Sequence, residues 1–307
     1  MEIIRGLHNL HEDHFGCVAT IGNFDGVHVG HQTILQQLLI QAKKYNLPAL
    51  LVSFDPQPQE FFSGKNFVRL TRFRDKVELL QEIGIDRILV IPFNKKFSQI
   101  SADEFVDDIL VKYLGVKYLL VGDDFCYGKE RQGNFLHLSK KSREYGFQLA
   151  NIETIKSGSE RLSSTRVRKA LEHGDMQKVQ TMLDRAYLIS GHVQHGAKKG
   201  RTIGFPTANI PLHKNTPAVW GVYAVRLWKK KHNLAYDGVA NIGFRPTIDG
   251  TKALLEVHLF DFDEDLYGQL VHVDFIAKIR DEKKFDSFEL LKQQIIDDVK
   301  VARSYFE

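Results

Sequence analysis

Apolar positions along the first half of the chain alternate between short continuous runs and longer stretches with a three-to-four-residue beat. Cys17–Asn23, Pro48–Phe54, Arg87–Ile91 and Tyr118–Val121 are runs of strand length. Gln32–Tyr45 instead carries apolar residues at Ile34, Leu35, Leu38, Leu39 and Ala42, the one-sided spacing of an amphipathic helix. Arg72–Ile83 and Ala102–Tyr113 repeat that beat. Near-continuous apolar strands alternating with amphipathic helices predict an α/β domain with a parallel sheet covered on both faces. Ligands of such sheets bind at the carboxyl ends of the strands. Further on, Ser164 or Thr165 is expected to cap a helix running to about Leu171, and Asp175 another ending near Leu183.

Beyond Asp184 the pattern changes. Glycines recur between short β-branched and aromatic runs such as Gly221–Leu227, Leu254–Phe260 and Leu270–Ile276. This predicts a small antiparallel β-barrel, followed by a terminal helix over about Ser287–Tyr305. Leu290, Leu291, Ile295, Ile296 and Val299 are expected on the buried face of that helix. The domain border falls near 184–187, giving domains 1–184 and 185–307, as a length of 307 residues leads one to expect.

Composition narrows the class. The longest apolar runs are too short to cross a bilayer, and no secretory h-region opens the chain. Two cysteines, Cys17 and Cys126, imply no disulfide framework, so a cytoplasmic protein is expected. The formal net charge is +4, with basic and acidic side chains nearly balanced on either side of Asp184. Neither half has the concentrated positive field of a nucleic-acid binder.

Candidate chemistry collects first after the opening strand. In Gly22-Asn23-Phe24-Asp25-Gly26-Val27-His28-Val29-Gly30-His31, three glycines permit tight turns before a helix start. A phosphate placed there meets unpaired helix N–H groups and the positive end of the dipole. Two imidazoles three residues apart can both donate to one phosphate; they can also ligate a metal with Asp25 as third ligand, or serve as ordinary cap residues. Leu162-Ser163-Ser164-Thr165-Arg166-Val167-Arg168 places two arginines in the first turn of a helix, where cations are disfavoured unless an anion is bound. Gly122–Gly128, containing Asp124, reads as a ligand loop or an acidic turn.

In the second half, Gly196–Thr202 lacks the spacing and setting of a Walker A loop. Thr207 and Asn209, two residues apart in an extended segment, can share a Mg²⁺ or a phosphate oxygen, or can be ordinary polar residues of a Pro turn. Leu255, Val257 and Leu259 share one strand face, so Glu256 points to the other, either to solvent or into a site.

Together these motifs resemble, in order and over nearly the whole chain, those of the bacterial bifunctional riboflavin kinase/FAD synthetase family. They are the Gly-x-Phe-Asp-Gly-x-His-x-Gly-His stretch, Phe54-Asp55-Pro56-Gln57-Pro58, the Gly-x-Asp-Phe loop and the Ser-Ser-Thr-x-x-Arg helix. Gly204-Phe205-Pro206-Thr207-Ala208-Asn209, Gly221-Val222-Tyr223, Asn241–Thr247, Glu256-Val257-His258 and Asp265-Leu266-Tyr267-Gly268 continue the likeness. Tyr127 departs from the usual Phe, and Asn134 from a common acidic residue.

The resemblance implies a Rossmann-like adenylyltransferase domain and a riboflavin kinase barrel that phosphorylates the 5′-hydroxyl of riboflavin. It implies that His28 and His31 engage the ATP phosphates. Ser164, Thr165 and Arg168 would hold the pyrophosphate region, Gly22, Phe24, Gly30 and Ser163 would lie along the nucleotide, and Asn23 and Asp124 near the nucleotide or flavin. Thr207 and Asn209 would bind Mg²⁺-ATP, Lys198, Lys199 and Gly200 would cover it, and Glu256 would be the catalytic base. Phe54, Asn241, Arg245 and Thr247 would contact flavin. ATP, riboflavin, FMN and FAD are then the expected small molecules, with flavoprotein apoenzymes as transient acceptors and neither nucleic acid nor membrane as a partner. A cytidylyltransferase would leave the second half unexplained, and a flavin-binding protein with decayed sites would not have kept these polar residues.

Overall fold

The computed structural model describes residues 1–64, 67–152, 156–157, 160–196, 204–212, 217–229, 234–247 and 250–307; for 156–157, 160–161, 245–247 and 250–252 it describes the backbone. The chain forms two compact units, Met1–Phe67 with Lys76–Ser163, and Val68–Asp75 with Ser164–Glu307.

In the first unit, β1 (Glu2–Arg5), β2 (Cys17–Ile21), β3 (Ala49–Asp55), β4 (Arg87–Pro92), β5 (Val116–Gly122) and β6 (Gln148–Ile152) make one sheet. Its order is β1-β4-β3-β2-β5-β6, and every pair is parallel. The helices are α1 (Val29–Tyr45), α2 (Pro58–Ser63), α3 (Phe73–Ile83, in this unit from Lys76 on), α4 (Ala102–Glu104) and α5 (Phe135–Tyr145). Cys17, Ala19 and Ile21 pack in one cluster with Phe105, Ile109 and Leu138, while Val18, Leu51 and Ile88 are fully buried and alternate to the other face. Burial on both faces is why these strands read as continuous apolar runs.

Local chemistry moved some expected boundaries. α1 begins three residues before Gln32 because the His28 side chain caps it, accepting from the His31 N–H at 3.3 Å. The stretch expected as α-helix to Tyr113 continues from α4 as π-helical turns over Phe105–Tyr113. β1 and β6 escaped the sequence reading since both are edge strands with few buried residues. α5 also escaped it; Asn134 caps this helix by accepting from His137 N–H at 3.0 Å.

The hairpin of β7 (Lys156–Ser157) and β8 (Glu160–Arg161) precedes the second unit. There α6 (Ser164–Glu172) and α7 (Met176–Leu183) lead into β9 (Tyr187–His192), β10 (Ala208–Leu212), β11 (Gly221–Trp228), β12 (Ala235–Thr247), β13 (Gly250–Leu259) and β14 (Leu270–Arg280). α6 starts at Ser164, which moves its cap position to Ser163. The six strands run antiparallel in the order β10-β13-β12-β11-β14-β9. The Gln194 N–H donates to the Asn209 carbonyl at 2.8 Å, bridging the two edges into a barrel. Ile210, Tyr223, Val225, Ile242, Leu255 and Val257 are buried on the strand face that fills it.

The terminal helix α8 (Phe288–Arg303) is capped by Ser287. Its buried residues are Asp298 and Ala302, whereas Leu290 and Ile296, expected to be buried, are 56% and 42% exposed. Leu291, Ile295 and Val299 are half-buried as expected, and on their face the Arg280 guanidinium of β14 holds the Asp298 carboxylate at 2.7 and 2.9 Å. Apolar periodicity alone could not register that ion pair.

Candidate active sites

Strand order locates the first site. β2 connects through α1 to β3 on one side, and β5 connects through α5 to β6 on the other. Their carboxyl ends therefore flank the crevice where the order reverses, the place an open α/β sheet offers a ligand. The Gly22–His31 turn leaves β2 at this crevice, and the Gly122–Gly128 loop leaves β5.

The turn is unusually constrained. Phe24 (φ 48°) and Val27 (φ 41°) adopt left-handed backbone conformations that cost non-glycine residues, a β-branched one most of all. Strain of that kind persists only where the surroundings over-determine it. Here it brings the His28 and His31 rings into a stack, centroids 3.6 Å apart and 15° between planes, with the Phe24 ring 4.7 Å from His31. A Cβ at Gly30 would come within 3.2 Å of His28 Nδ1, so this position keeps the helix start close to the ring. Because His28 Nδ1 accepts a backbone N–H, a neutral His28 carries its proton on Nε2.

Burial, then the neighbouring His28, then Lys76 hold the His31 pKa well below the usual imidazole range. His31 Nδ1 and Asn23 Oδ1 are buried without a hydrogen-bond partner, two polar atoms of one turn that call for a ligand. Lys76 is the residue sequence reasoning missed. It reads as one more polar position of an amphipathic helix, yet its ammonium is buried and donates to the Asn23 carbonyl at 3.1 Å and the Ser53 hydroxyl at 3.0 Å.

In the β5 loop, Asp124 is exposed, and Phe125 stacks on Tyr127 at 5.4 Å and 18°. The Tyr127 hydroxyl hydrogen-bonds His137 Nδ1 at 2.6 Å, a bond that Phe in its place could not make. Phe54, at the end of β3, lies 6.0 Å from Phe93 and 5.8 Å from Phe97. Phe61 and Phe62 extend this aromatic wall, 5.4 and 5.9 Å from Phe93, and Phe62 is 72% exposed. Apart from Phe54, these rings carried no sequence signal, since three separate segments supply them.

Ser163 ends the first unit, while Ser164, Thr165 and Arg168 stand at the start of α6 in the second. There Arg168 Nε donates to the Val68 carbonyl at 2.6 Å. Among the described residues no group of three or more His, Cys, Asp or Glu could hold a metal ion, so Asp25 does not complete a site with the two histidines.

The second site lies on the barrel's outer surface. Glu256 of β13 pairs with Asn209 of β10 on one side and Asn241 of β12 on the other, placing three polar side chains in one row. Their strand neighbours Leu255, Val257 and Ile210 fill the interior, so the row faces out. Asn209 Nδ2 donates to the Thr207 carbonyl at 3.2 Å, and a Cβ at Gly196 would sit 2.5 Å from it, so backbone covers this amide closely. Thr207 lines a cavity of about 400 Å³ with Val193, Leu259, Phe262, Leu266 and Tyr267, within the usual size of small-ligand pockets. His258, two residues beyond Glu256, bonds the Pro206 carbonyl through Nδ1 at 2.9 Å, and burial lowers its pKa. Lys198, Lys199 and Gly200 lie outside the described residues. Arg245 and Thr247 stand on β12, with their side chains outside the described residues.

A family model described as FAD synthetase matches residues 10–166, and one described as riboflavin kinase matches residues 183–306. A bifunctional riboflavin kinase/FMN adenylyltransferase of Haemophilus influenzae is 48% identical over 307 residues, covering 100% of this chain and 99% of the relative. The Escherichia coli K12 protein of the same name is 47% identical over 308 residues, covering 100% and 98%. A solved structure named as a macrolide-efflux protein from Streptococcus pneumoniae superposes with a TM-score of 0.84 at 28% identity, over 99% of both chains. That name speaks of transport, but no described helix of this chain is long and apolar enough to cross a membrane.

Proposed function

Since this chain belongs to the bifunctional riboflavin kinase/FMN adenylyltransferase family, and so makes FMN from riboflavin and FAD from FMN, we propose which residues carry each step. Residues 1–184 are the adenylyltransferase half and 185–307 the kinase half, a division supported by the separate family matches.

In the first half, an FMN phosphate oxygen attacks the α-phosphorus of ATP and pyrophosphate leaves from the opposite side. No covalent intermediate is needed, so positioning and charge stabilisation supply the rate. His28, with its proton on Nε2, and neutral His31 donate to the phosphate oxygens as charge builds. The observation that carries this reading is the stack of buried His28 on half-buried His31 at the reversal of strand order, with His31 Nδ1 and Asn23 Oδ1 unsatisfied. Gly22, Phe24 and Gly30 shape the turn, and Asn23 and Asp124 lie along the nucleotide. Ser163, Ser164, Thr165 and Arg168 bind the pyrophosphate. The wall containing Phe54 takes the flavin ring, whose flat apolar face suits stacked aromatics.

In the kinase half, Glu256 takes the proton from the riboflavin 5′-hydroxyl as its oxygen attacks the γ-phosphorus of ATP, and ADP leaves. The cavity beside Thr207 receives the nucleotide, Lys199 and Gly200 contribute to binding it, and Asn241, Arg245 and Thr247 contact flavin. The Thr207 hydroxyl and the Asn209 amide oxygen are hard donors of the kind Mg²⁺ accepts beside substrate phosphates. Bound there, the ion would neutralise charge on the β- and γ-phosphates. Work in the cytoplasm and transfer of FAD to flavoprotein apoenzymes complete the proposal.

Replacing Glu256 by Gln tests the assignment. Phosphorylation of riboflavin should fall about 10²-fold or more, the scale of a lost general base, while FAD still forms from supplied FMN. Flavin chromatography reads both steps. An unimpaired kinase would remove Glu256 from the role of base.

A further inference from the structure

Neither step as assigned uses Lys76, yet among the described residues of the first unit no other lysine is buried as deeply, at 5% exposed. An ammonium taken out of water that far must be held by hydrogen bonds. Its Nζ reaches the Asn23 carbonyl at 3.1 Å, in the turn after β2, and the Ser53 hydroxyl at 3.0 Å, on the neighbouring β3. One cation on α3 thereby ties the mouth of the crevice to the sheet. Asn23 is also the residue whose Oδ1 lies buried without a partner, as does Nδ1 of His31 in the same turn.

We propose that Lys76 is a positioning residue for adenylyl transfer: it fixes the Asn23 main chain so that the Asn23 amide oxygen and the His31 ring meet the nucleotide. This rests on the reading of His28 and His31 as the adenylyl-transfer pair. Lys76 does not touch the reacting atoms in this role. It holds the turn in its strained conformation, with Phe24 and Val27 in the left-handed region, against the tendency of such a loop to relax.

Its charge has a second effect. The ionisable groups that bear on His31 are His28, stacked on it from the turn, and Lys76 from α3; Asp25 is buried in the same turn. Both His28 and Lys76 disfavour the imidazolium form of His31, so the ring stays a neutral donor while Lys76 supplies the fixed positive charge.

The test uses the full-length protein and follows FMN-to-FAD conversion against pH, with riboflavin-to-FMN conversion in the same preparation as the internal control. In Lys76→Met, kcat for FAD formation should fall about tenfold or more, as a misplaced site predicts, while the kinase is unchanged. The acid limb of the FAD profile should also move to higher pH, because His31 loses a neighbouring cation and protonates more readily. Lys76→Arg keeps the charge but not the reach, so it should slow the reaction and leave the acid limb in place. Ser53→Ala removes one anchor and should give a smaller loss with the limb unmoved. An unchanged FAD rate in Lys76→Met, an unmoved acid limb, or equal loss of both activities would overturn the proposal, the last by making Lys76 a residue of folding alone. His31→Ala in the same assay separates the two readings. If it still makes FAD, the assignment of the histidine pair fails, whatever Lys76 does.

Discussion

His31 illustrates how a residue acquires chemistry from what surrounds it. Alone, an imidazole is half protonated near pH 6.5; stacked on His28, buried and near Lys76, it stays neutral well below that. The unfolded chain takes up a proton on His31 as pH drops below about 6.5 and the folded chain does not, so stability is full above that pH and is lost as pH falls toward the depressed folded value. His258, lowered mainly by burial, acts the same way in the second unit. Urea unfolding at about pH 7.5 and 5.5 should therefore show lower stability at the acid value, and a flat profile would contradict both burials. At the aromatic wall, Phe62 is 72% exposed and contributes little to the core. Phe62→Ala should raise KM for FMN about five- to tenfold, the worth of one aromatic contact, with the unfolding midpoint unchanged.

At the scale of elements, what the sequence disclosed depended on burial. β2 to β5 are covered on both faces and announce themselves as apolar runs; β1 and β6, at the edges, do not. One helix start was readable from its cap. Asp175 caps α7 as expected, accepting from the Lys178 N–H at 3.1 Å. Asp175→Ala should cost about 1 kcal/mol, visible as a lower urea midpoint with both activities retained. Contacts between distant segments were not readable. Asn23 lies in the turn after β2, Ser53 on β3 and Lys76 on α3, and only the fold brings the first two within 3.1 Å of the Lys76 ammonium. The same holds for Phe54, Phe61 and Phe93, and for the Arg280–Asp298 pair, which lies on the same face of α8 as Leu291, Ile295 and Val299. By contrast, the Asn209–Glu256–Asn241 row was half visible. Alternation placed Glu256 opposite the core, but only strand register supplied its neighbours.

On the scale of the whole molecule, one chain carries two unrelated architectures, a parallel sheet whose ligand crevice is set by strand order and a barrel whose polar row lies outside its filled interior. Each handles ATP differently. In the proposed assignment the first places donors around an α-phosphate, and the second a carboxylate beside an acceptor hydroxyl. The product of the barrel is the substrate of the sheet domain, so blocking one site should stop synthesis at a defined flavin. The most direct measurement is chromatography of flavins after incubating the full chain with riboflavin, ATP and Mg²⁺, for the parent protein and for His28→Ala/His31→Ala. The parent should yield FAD, and the variant should accumulate FMN at the parental rate with FAD formation reduced about 10³-fold or more. FAD produced by the variant at the parental rate, or loss of FMN and FAD together, would contradict the account.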